Sequence, residues 1–267
     1  MNPSAPIGVF DSGVGGLSVL RAIRTALPYE HLYYVADSGH APYGTKPPEY
    51  IQKRVLTLAH FLLDQDVKAL VVACNTATVA AVAHLRATVS VPVVAIEPAV
   101  KPAVAVTQTG IVGVIATAAT LASAQFASLK KRFGASTTIL TQACPQLVRQ
   151  VEAGDLTGSA TRDAIWHYTA PLLAAGADTL VLGCTHFPFL RPLIADVVGP
   201  EVTLIDTSVA VSRQLSRVLA AQNLLNPAPV SGVEHFWTSG EVATAQNIMS
   251  TLWERSVSLQ RLPQAVA

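Results

Sequence analysis

Ala69-Leu70-Val71-Val72-Ala73-Cys74-Asn75-Thr76-Ala77-Thr78 is echoed further along the chain by Thr179-Leu180-Val181-Leu182-Gly183-Cys184-Thr185-His186. In each, an apolar run of strand length ends in a cysteine, and a small polar residue of the kind that caps helices follows at once. The pattern predicts a buried parallel strand turning into a helix. Each thiol then sits at the carboxyl edge of an α/β sheet, where such folds bind ligands. Two such thiols from two halves of one chain are expected to face each other across one crevice.

Outward from these stretches, strand and helix signals alternate. Ile7 to Phe10 reads as a strand, Asp11-Ser12-Gly13-Val14-Gly15-Gly16 as a turn, and Leu17 to Leu27 as a helix stopped by Pro28. A strand over His31 to Ala36 leads into the polar turn Asp37 to Gly44, and Pro48 opens a helix that runs to Leu63. The Cys74 strand, a helix from Thr76 to Arg86 and a strand from Val93 to Ile96 follow. The alternation predicts α/β architecture: a mainly parallel sheet with helices on both faces. Glu97-Pro98 and Lys101-Pro102 mark a crossing into a second lobe. There the expected order is strand 111–115, helix 120–132, strand 137–140, helix 145–152, helix 161–174, the Cys184 strand, helix 189–197 and strand 202–205. Asp206-Thr207-Ser208 caps a long helix expected to return to the first lobe, with a strand at 235–238 and a closing helix at 241–253. The first lobe is therefore expected to hold residues 1–97 and 208–267, and the second 98–207.

Composition narrows the function classes. The chain has 267 residues, 51% of them apolar and 13% charged, as suits elements buried on more than one face. Its net charge of +1 comes with no clustered basic run, so no nucleic-acid partner is expected. Residues 1–6 lack a basic region and apolar core, and no apolar run reaches membrane-spanning length, so neither a signal peptide nor a membrane partner is expected. The three cysteines lie far apart and suggest no disulfide framework. The expectation is a soluble protein of a reducing cytoplasm.

A lone cysteine at the end of an apolar strand is often simply buried, and Cys144, before Pro145, keeps that reading. Cys74 and Cys184 differ in being followed by capping groups. An unperturbed thiol, with pKa about 8.5, is only a few per cent thiolate at neutral pH. A helix dipole is typically worth about 0.3–1 kcal/mol, less than one pKa unit at about 1.4 kcal/mol per unit. Further help is needed, and the nearby candidates are His186 beside Cys184 and Asp11 on the Cys74 edge. The Gly13–Gly16 turn lacks dinucleotide spacing and a Walker lysine, but suits backbone capture of a carboxylate. Pro42-Tyr43-Gly44 is placed to close over such a ligand. Asn75, Thr76, Thr78 and Thr185 offer short hydrogen-bonding groups that serve equally as helix caps.

Several chemistries use two thiols. A redox couple is disfavoured by the absence of C-x-x-C, and one histidine with two cysteines is too few ligands for a metal site. Acyl transfer needs only one thiol. Inversion at a carbon bearing an acidic hydrogen uses both: one base takes the proton from one face and an acid returns one to the other. Enantiomers are equal in energy, so a symmetric pair suits the reaction. With each sulfur within about 3.2 Å of the carbon it serves, the sulfurs would lie roughly 6–8 Å apart. A two-lobed binding protein with inert thiols is the reading from another class.

Gly8-Val9-Phe10-Asp11-Ser12-Gly13-Val14-Gly15-Gly16-Leu17-Ser18-Val19, Ala36-Asp37-Ser38-Gly39-His40-Ala41-Pro42-Tyr43-Gly44, Ala73-Cys74-Asn75-Thr76-Ala77-Thr78 and Leu182-Gly183-Cys184-Thr185-His186-Phe187-Pro188 occur in the order and spacing that resemble the glutamate racemase family. The resemblance spans Ile7 to about Trp253. It implies two flavodoxin-like lobes with the active site in the cleft between them. It also implies cofactor-independent interconversion of L- and D-glutamate, D-glutamate supply for bacterial peptidoglycan, no metal, and a homodimer. By the same resemblance Cys74 serves the D-enantiomer and Cys184 the L-enantiomer. Asp11 assists Cys74, and His186 with Glu152 assists Cys184. Asp11, Ser12, Pro42, Tyr43, Gly44, Asn75, Thr76, Thr78, Thr185 and His186 are the implied substrate contacts. Aspartate racemase, or a decarboxylase of malonate-type acids, is the alternative within the same superfamily.

Overall fold

A computed structural model describes residues 1–135 and 137–267. The chain divides into two compact units, Met1–Ile96 with Ser208–Ala267, and Glu97–Thr207. The first unit begins β1 (Ile7–Asp11), α1 (Leu17–Ala26), β2 (Leu32–Ala36), α2 (Pro48–Leu63), β3 (Ala69–Val72), α3 (Asn75–Thr88) and β4 (Val93–Ala95). The second holds α4 (Val100–Val106), β5 (Ile111–Ala116), α5 (Ala118–Leu121), α6 (Ala124–Phe133), β6 (Thr138–Ala143), α7 (Pro145–Glu152), α8 (Ser159–Ala174), β7 (Thr179–Leu182), α9 (Arg191–Val198) and β8 (Thr203–Ile205). The chain then re-enters the first unit as α10 (Ser208–Ala221), β9 (Glu234–Thr238), α11 (Val242–Trp253) and β10 (Leu259–Arg261).

The first sheet has the order β10-β9-β2-β1-β3-β4 and the second β6-β5-β7-β8, with every pairing parallel. This is an α/β fold of two parallel sheets with helices on both faces. Parallel neighbours cannot be joined by a tight turn, so helices make the crossovers and cover the sheet faces. That is why the central strands read as unbroken apolar runs: every residue of β1, β3 and β7 is buried.

The order β2-β1-β3-β4 repeats as β6-β5-β7-β8. In each sheet the chain leaves the first strand toward one side and returns on the other, so the strand order reverses between β1 and β3 and between β5 and β7. Ligands bind open parallel sheets at the carboxyl ends of strands at such a reversal. Cys74 and Cys184 each follow a four-residue strand by two positions at that place. The amide of Ala73 donates to the Phe10 carbonyl at 2.9 Å, and Gly183 to that of Ile115 at 2.8 Å, so the two thiols are topological equivalents.

Four elements differ from the sequence expectation. The stretch around Lys101-Pro102, expected only as a crossing, is the helix α4, whose first turn accommodates Pro102 because no amide is needed there. The helix expected over 120–132 is two helices, because Ser123 accepts a hydrogen bond from the Phe126 amide and starts α6 afresh. The helix expected from Phe189 begins instead as a 3₁₀ turn, Phe187–Leu190, before α9. Pro188 and Pro192 have no amide to donate and shape the backbone of the residues before them, which delays the α-helix to Arg191. The short strand β10 was not expected, since of its three residues only Leu259 is buried. Among the described residues, no helix is long and apolar enough to cross a membrane.

Candidate active site

The first unit builds one thiol site from the ends of β1 and β3. Cys74 has extended backbone dihedrals and is the N-cap of the 14-residue helix α3, with its sulfur accepting from the Ala77 amide at 3.4 Å. The sulfur therefore meets the positive end of a helix whose first amides need acceptors. It also lies 3.5 Å from the Ser12 hydroxyl, to which the thiol donates. Ser12 in turn donates to Asp11 Oδ1, from its hydroxyl at 3.1 Å and its amide at 2.6 Å. Asp11 is fully buried, so thiol, hydroxyl and carboxylate form a chain shielded from water. Gly16 makes room for it: a Cβ there would stand 2.7 Å from Asp11 Cβ and 2.8 Å from the Tyr34 hydroxyl.

Of the residues expected to touch a ligand, those of the first unit lie on this edge or pack against α3, whereas Thr185 and His186 belong to the second unit. Asn75, Thr76 and Thr78 are buried in the first turn of α3. Both polar atoms of the Asn75 amide and the Thr78 hydroxyl are buried without a hydrogen-bond partner among the described residues. Such a buried group typically costs about 1–3 kcal/mol, so it calls for an explanation. Pro42, after a cis peptide bond, and Gly44 are half-buried, whereas Tyr43 is fully buried. The 3₁₀ turn Tyr43–Thr45 packs against α3, and the Tyr43 hydroxyl donates to Asp37 Oδ2 at 2.5 Å. Burial first, then the Asp37 charge and its hydrogen bond, then the Cys74 thiolate push the Tyr43 phenol far above its usual range.

The second unit surrounds its thiol differently. The Cys184 carbonyl accepts from the Phe187 amide at 3.1 Å, so Thr185 and His186 form a turn that leads only into the short 3₁₀ segment. The helix N-terminus expected at Cys184 is thus not there, and the dipole argument applies to Cys74 alone. His186 takes its place. Its Nδ1 lies 3.5 Å from Cys184 Sγ, and its Nε2 lies 2.6 Å from Glu152 Oε1. The imidazole is buried, and burial by itself lowers its pKa. The Cys184 thiolate and then Glu152 more than offset this, holding it well above the usual histidine value. Glu152 is the last residue of α7, where the helix dipole disfavours a negative charge, and the imidazolium offsets that. Contacts between α7 and the 3₁₀ segment bring the two side chains together. Gly183 permits the close approach of β5, since a Cβ there would stand 2.9 Å from the Ile115 carbonyl oxygen.

Cys144 is fully buried at the start of α7, its thiol donating to the Gln142 carbonyl at 3.4 Å. Burial and the nearby Cys184 charge push it up, so it stays a neutral thiol. Among the described residues, no group of three or more His, Cys, Asp or Glu side chains is arranged to hold a metal ion.

Asp37 and Arg54 escaped the sequence reading. Arg54 sits on α2 between Ile51 and Leu58, on the apolar stripe of that helix, and a charge on an apolar stripe was the available signal. It donates from Nε to Asp37 Oδ2 at 3.0 Å and from Nη2 to Oδ1 at 2.7 Å.

The sequence matches the family described as Asp/Glu/Hydantoin racemase over residues 7–215. The chain belongs to that family. It is 55% identical over 262 residues to a glutamate racemase of Methylococcus capsulatus, covering 98% of this chain and 97% of that one. Its fold is similar to a glutamate racemase isoform of Bacillus anthracis, with TM-score 0.90, 32% identity and full coverage of both chains. It is also similar to the Francisella tularensis glutamate racemase in complex with D-glutamate, with TM-score 0.85, 30% identity and 98% coverage of each chain. The protein is accordingly an isomerase of the amino-acid racemase class.

Proposed function

We propose that this racemase interconverts L- and D-glutamate by a two-thiol mechanism without an organic cofactor, and that Cys74 and Cys184 each serve one face of the α-carbon. The observation that carries the reading is the pair of cysteines at equivalent strand ends, each with its own route for a proton. In one direction the Cys184 thiolate takes the α-proton of L-glutamate, leaving the bonding pair on the α-carbon. The Cys74 thiol then delivers its proton to the opposite face and becomes the thiolate. The reverse reaction exchanges the roles, and Cys74 acts on D-glutamate. His186, held by Glu152, stabilises the Cys184 thiolate as an ion pair. On the Cys74 side, Ser12 accepts from the thiol and donates in turn to Asp11, and the α3 amides stabilise the thiolate.

Substrate recognition is assigned to Asp11, Ser12, Pro42, Tyr43, Gly44, Asn75, Thr76, Thr78, Thr185 and His186. The unpartnered polar atoms of Asn75 and Thr78 support this, since an amino-acid substrate carries the carboxylates and ammonium that would satisfy them. D-glutamate supply for peptidoglycan, a cytoplasmic location and a homodimeric assembly complete the proposal.

The test is circular dichroism of L-glutamate incubated with the pure protein in D₂O, with no cofactor added. The signal should decay to zero while one deuterium enters at the α-carbon. A stable signal, or decay with aspartate and none with glutamate, would overturn the assignment.

A further inference from the structure

The turn between β2 and α2 is fastened at three points. The Gly39 amide donates to Ser239 Oγ at 3.0 Å, His40 hydrogen-bonds Tyr50, and Asp37 is gripped by both Arg54 and Tyr43. The third fastening is the buried one, with Asp37 fully buried and the Arg54 side chain 10% exposed. Arg54 Nη2 also donates to the Val266 carbonyl at 2.8 Å. The helix carrying Arg54 is tied to the helix that Cys74 caps, since Gln52 Nε2 donates to the Ala80 carbonyl at 2.9 Å and α2 packs along α3. A line of contacts thus leads from Arg54 through Asp37 and Tyr43 to the start of α3.

We propose that Arg54 is a positioning residue for the Cys74 thiol: by pinning and neutralising Asp37, it sets Tyr43 and its turn against the start of α3 and shields the sulfur from an uncompensated negative charge. The inference rests on Cys74 acting as a proton-transfer thiol. The guanidinium matches a carboxylate with two parallel donors, which a lysine cannot reproduce. The charged and titratable groups facing the sulfur include Asp11 through Ser12, Tyr43 from its turn, and behind Tyr43 the Asp37–Arg54 pair with His40 and Lys46. Arg54 neutralises Asp37 within that set. Without it, the Asp37 charge would oppose thiolate formation at Cys74.

The experiment compares full-length wild type, Arg54→Gln, Arg54→Lys and the charge-balanced double variant Asp37→Asn/Arg54→Gln. Iodoacetamide alkylation of Cys74 is followed against pH by mass spectrometry, beside kcat, KM and a thermal melt. Arg54→Gln should raise the alkylation midpoint by about one pH unit or more, and lower kcat by about 10²-fold with a smaller change in KM. Arg54→Lys should restore the midpoint but not the full kcat. The double variant should also restore the midpoint, which a purely structural role would not bring about. A folded Arg54→Gln protein with the wild-type alkylation curve, or a double variant that keeps the shift, would overturn the proposal. Should Arg54→Gln not fold, wild-type kcat in Arg54→Lys would overturn it. A wild-type protein that alkylates normally but leaves glutamate unracemised would instead sink the functional reading alone.

Discussion

The surroundings of Cys74 and Cys184 begin from the same sheet topology and diverge within two residues. Cys74 caps a long helix and meets a hydroxyl backed by a carboxylate; Cys184 meets an imidazole backed by a carboxylate, with no long helix behind it. The divergence extends along the strand ends. Asp11 follows Phe10 at the end of β1, whereas the equivalent place on β5 is Ala116, so the second unit draws its acid from α7 instead. Asp37 and Cys144 are also equivalent, their amides donating to the carbonyls of Asp11 and Ala116 at 3.0 Å each. One position holds a carboxylate that requires Arg54, and the other a neutral thiol that requires no counter-ion. One and the same backbone plan thus sets one sulfur at a helix start beside a hydroxyl and the other beside a buried imidazole.

The hardest test of this comparison is to remove each sulfur in turn. Cys74→Ser and Cys184→Ser should each lower racemisation by about 10⁴-fold or more while leaving the far-ultraviolet circular dichroism unchanged. If either variant keeps activity within tenfold of wild type, the two sites are not partners. Next in size, His186→Asn should cost about 10²–10⁴-fold in kcat. It should also raise the alkylation midpoint of Cys184 without moving that of Cys74; an equal shift of both would erase the distinction. His186 carries a stability signature as well. Its folded pKa lies above the unfolded value of about 6.5, so its contribution is complete below that pH and is lost as pH rises through the folded value. The gap in melting temperature between wild type and His186→Asn should therefore narrow on going from pH 6 to alkaline conditions. A gap that widens would reverse the assigned sign.

The smallest effect belongs to the opposite end of β7. Burial raises the pKa of Asp178, but the Thr107 hydroxyl, the Thr109 and Gln108 amides and the Thr179 hydroxyl outweigh it and hold the carboxylate down at about 2. Asp178→Asn should lower the melting temperature by about 2–4 °C at neutral pH with kcat and KM unchanged. Because the folded pKa is depressed, that advantage of the wild type should fade as pH falls from about 3.9 toward the folded value. A loss of activity in this variant would mean that the carboxyl edge of the sheet is coupled to its other end.

Much of this plan was legible in the letters. The Cys74 and Cys184 strands were readable because parallel strands covered on both faces need an unbroken apolar run. The break between α5 and α6 was hidden in a helix-compatible stretch, and only the Ser123 cap makes it. Strand β10 carries a single buried side chain and so leaves almost no periodic trace. Ser12, Asn75 and Thr185, proposed as substrate contacts, were visible as members or neighbours of the motifs. Arg54 and Asp37 were not, because a buried ion pair has no sequence spacing of its own. Glu152 was reached only through resemblance, being 34 residues from its partner His186.

By itself the sequence determined the alternation of strand and helix, the place of each thiol at a strand end and membership of the racemase family, since local apolar runs, turn residues and motif spacing carry that information. Only the tertiary structure decided what each sulfur meets. Ser12 reaches Cys74, and Glu152 reaches His186, because strand order and helix packing bring together residues far apart along the chain. The microenvironment that sets a thiol's charge is made of such contacts.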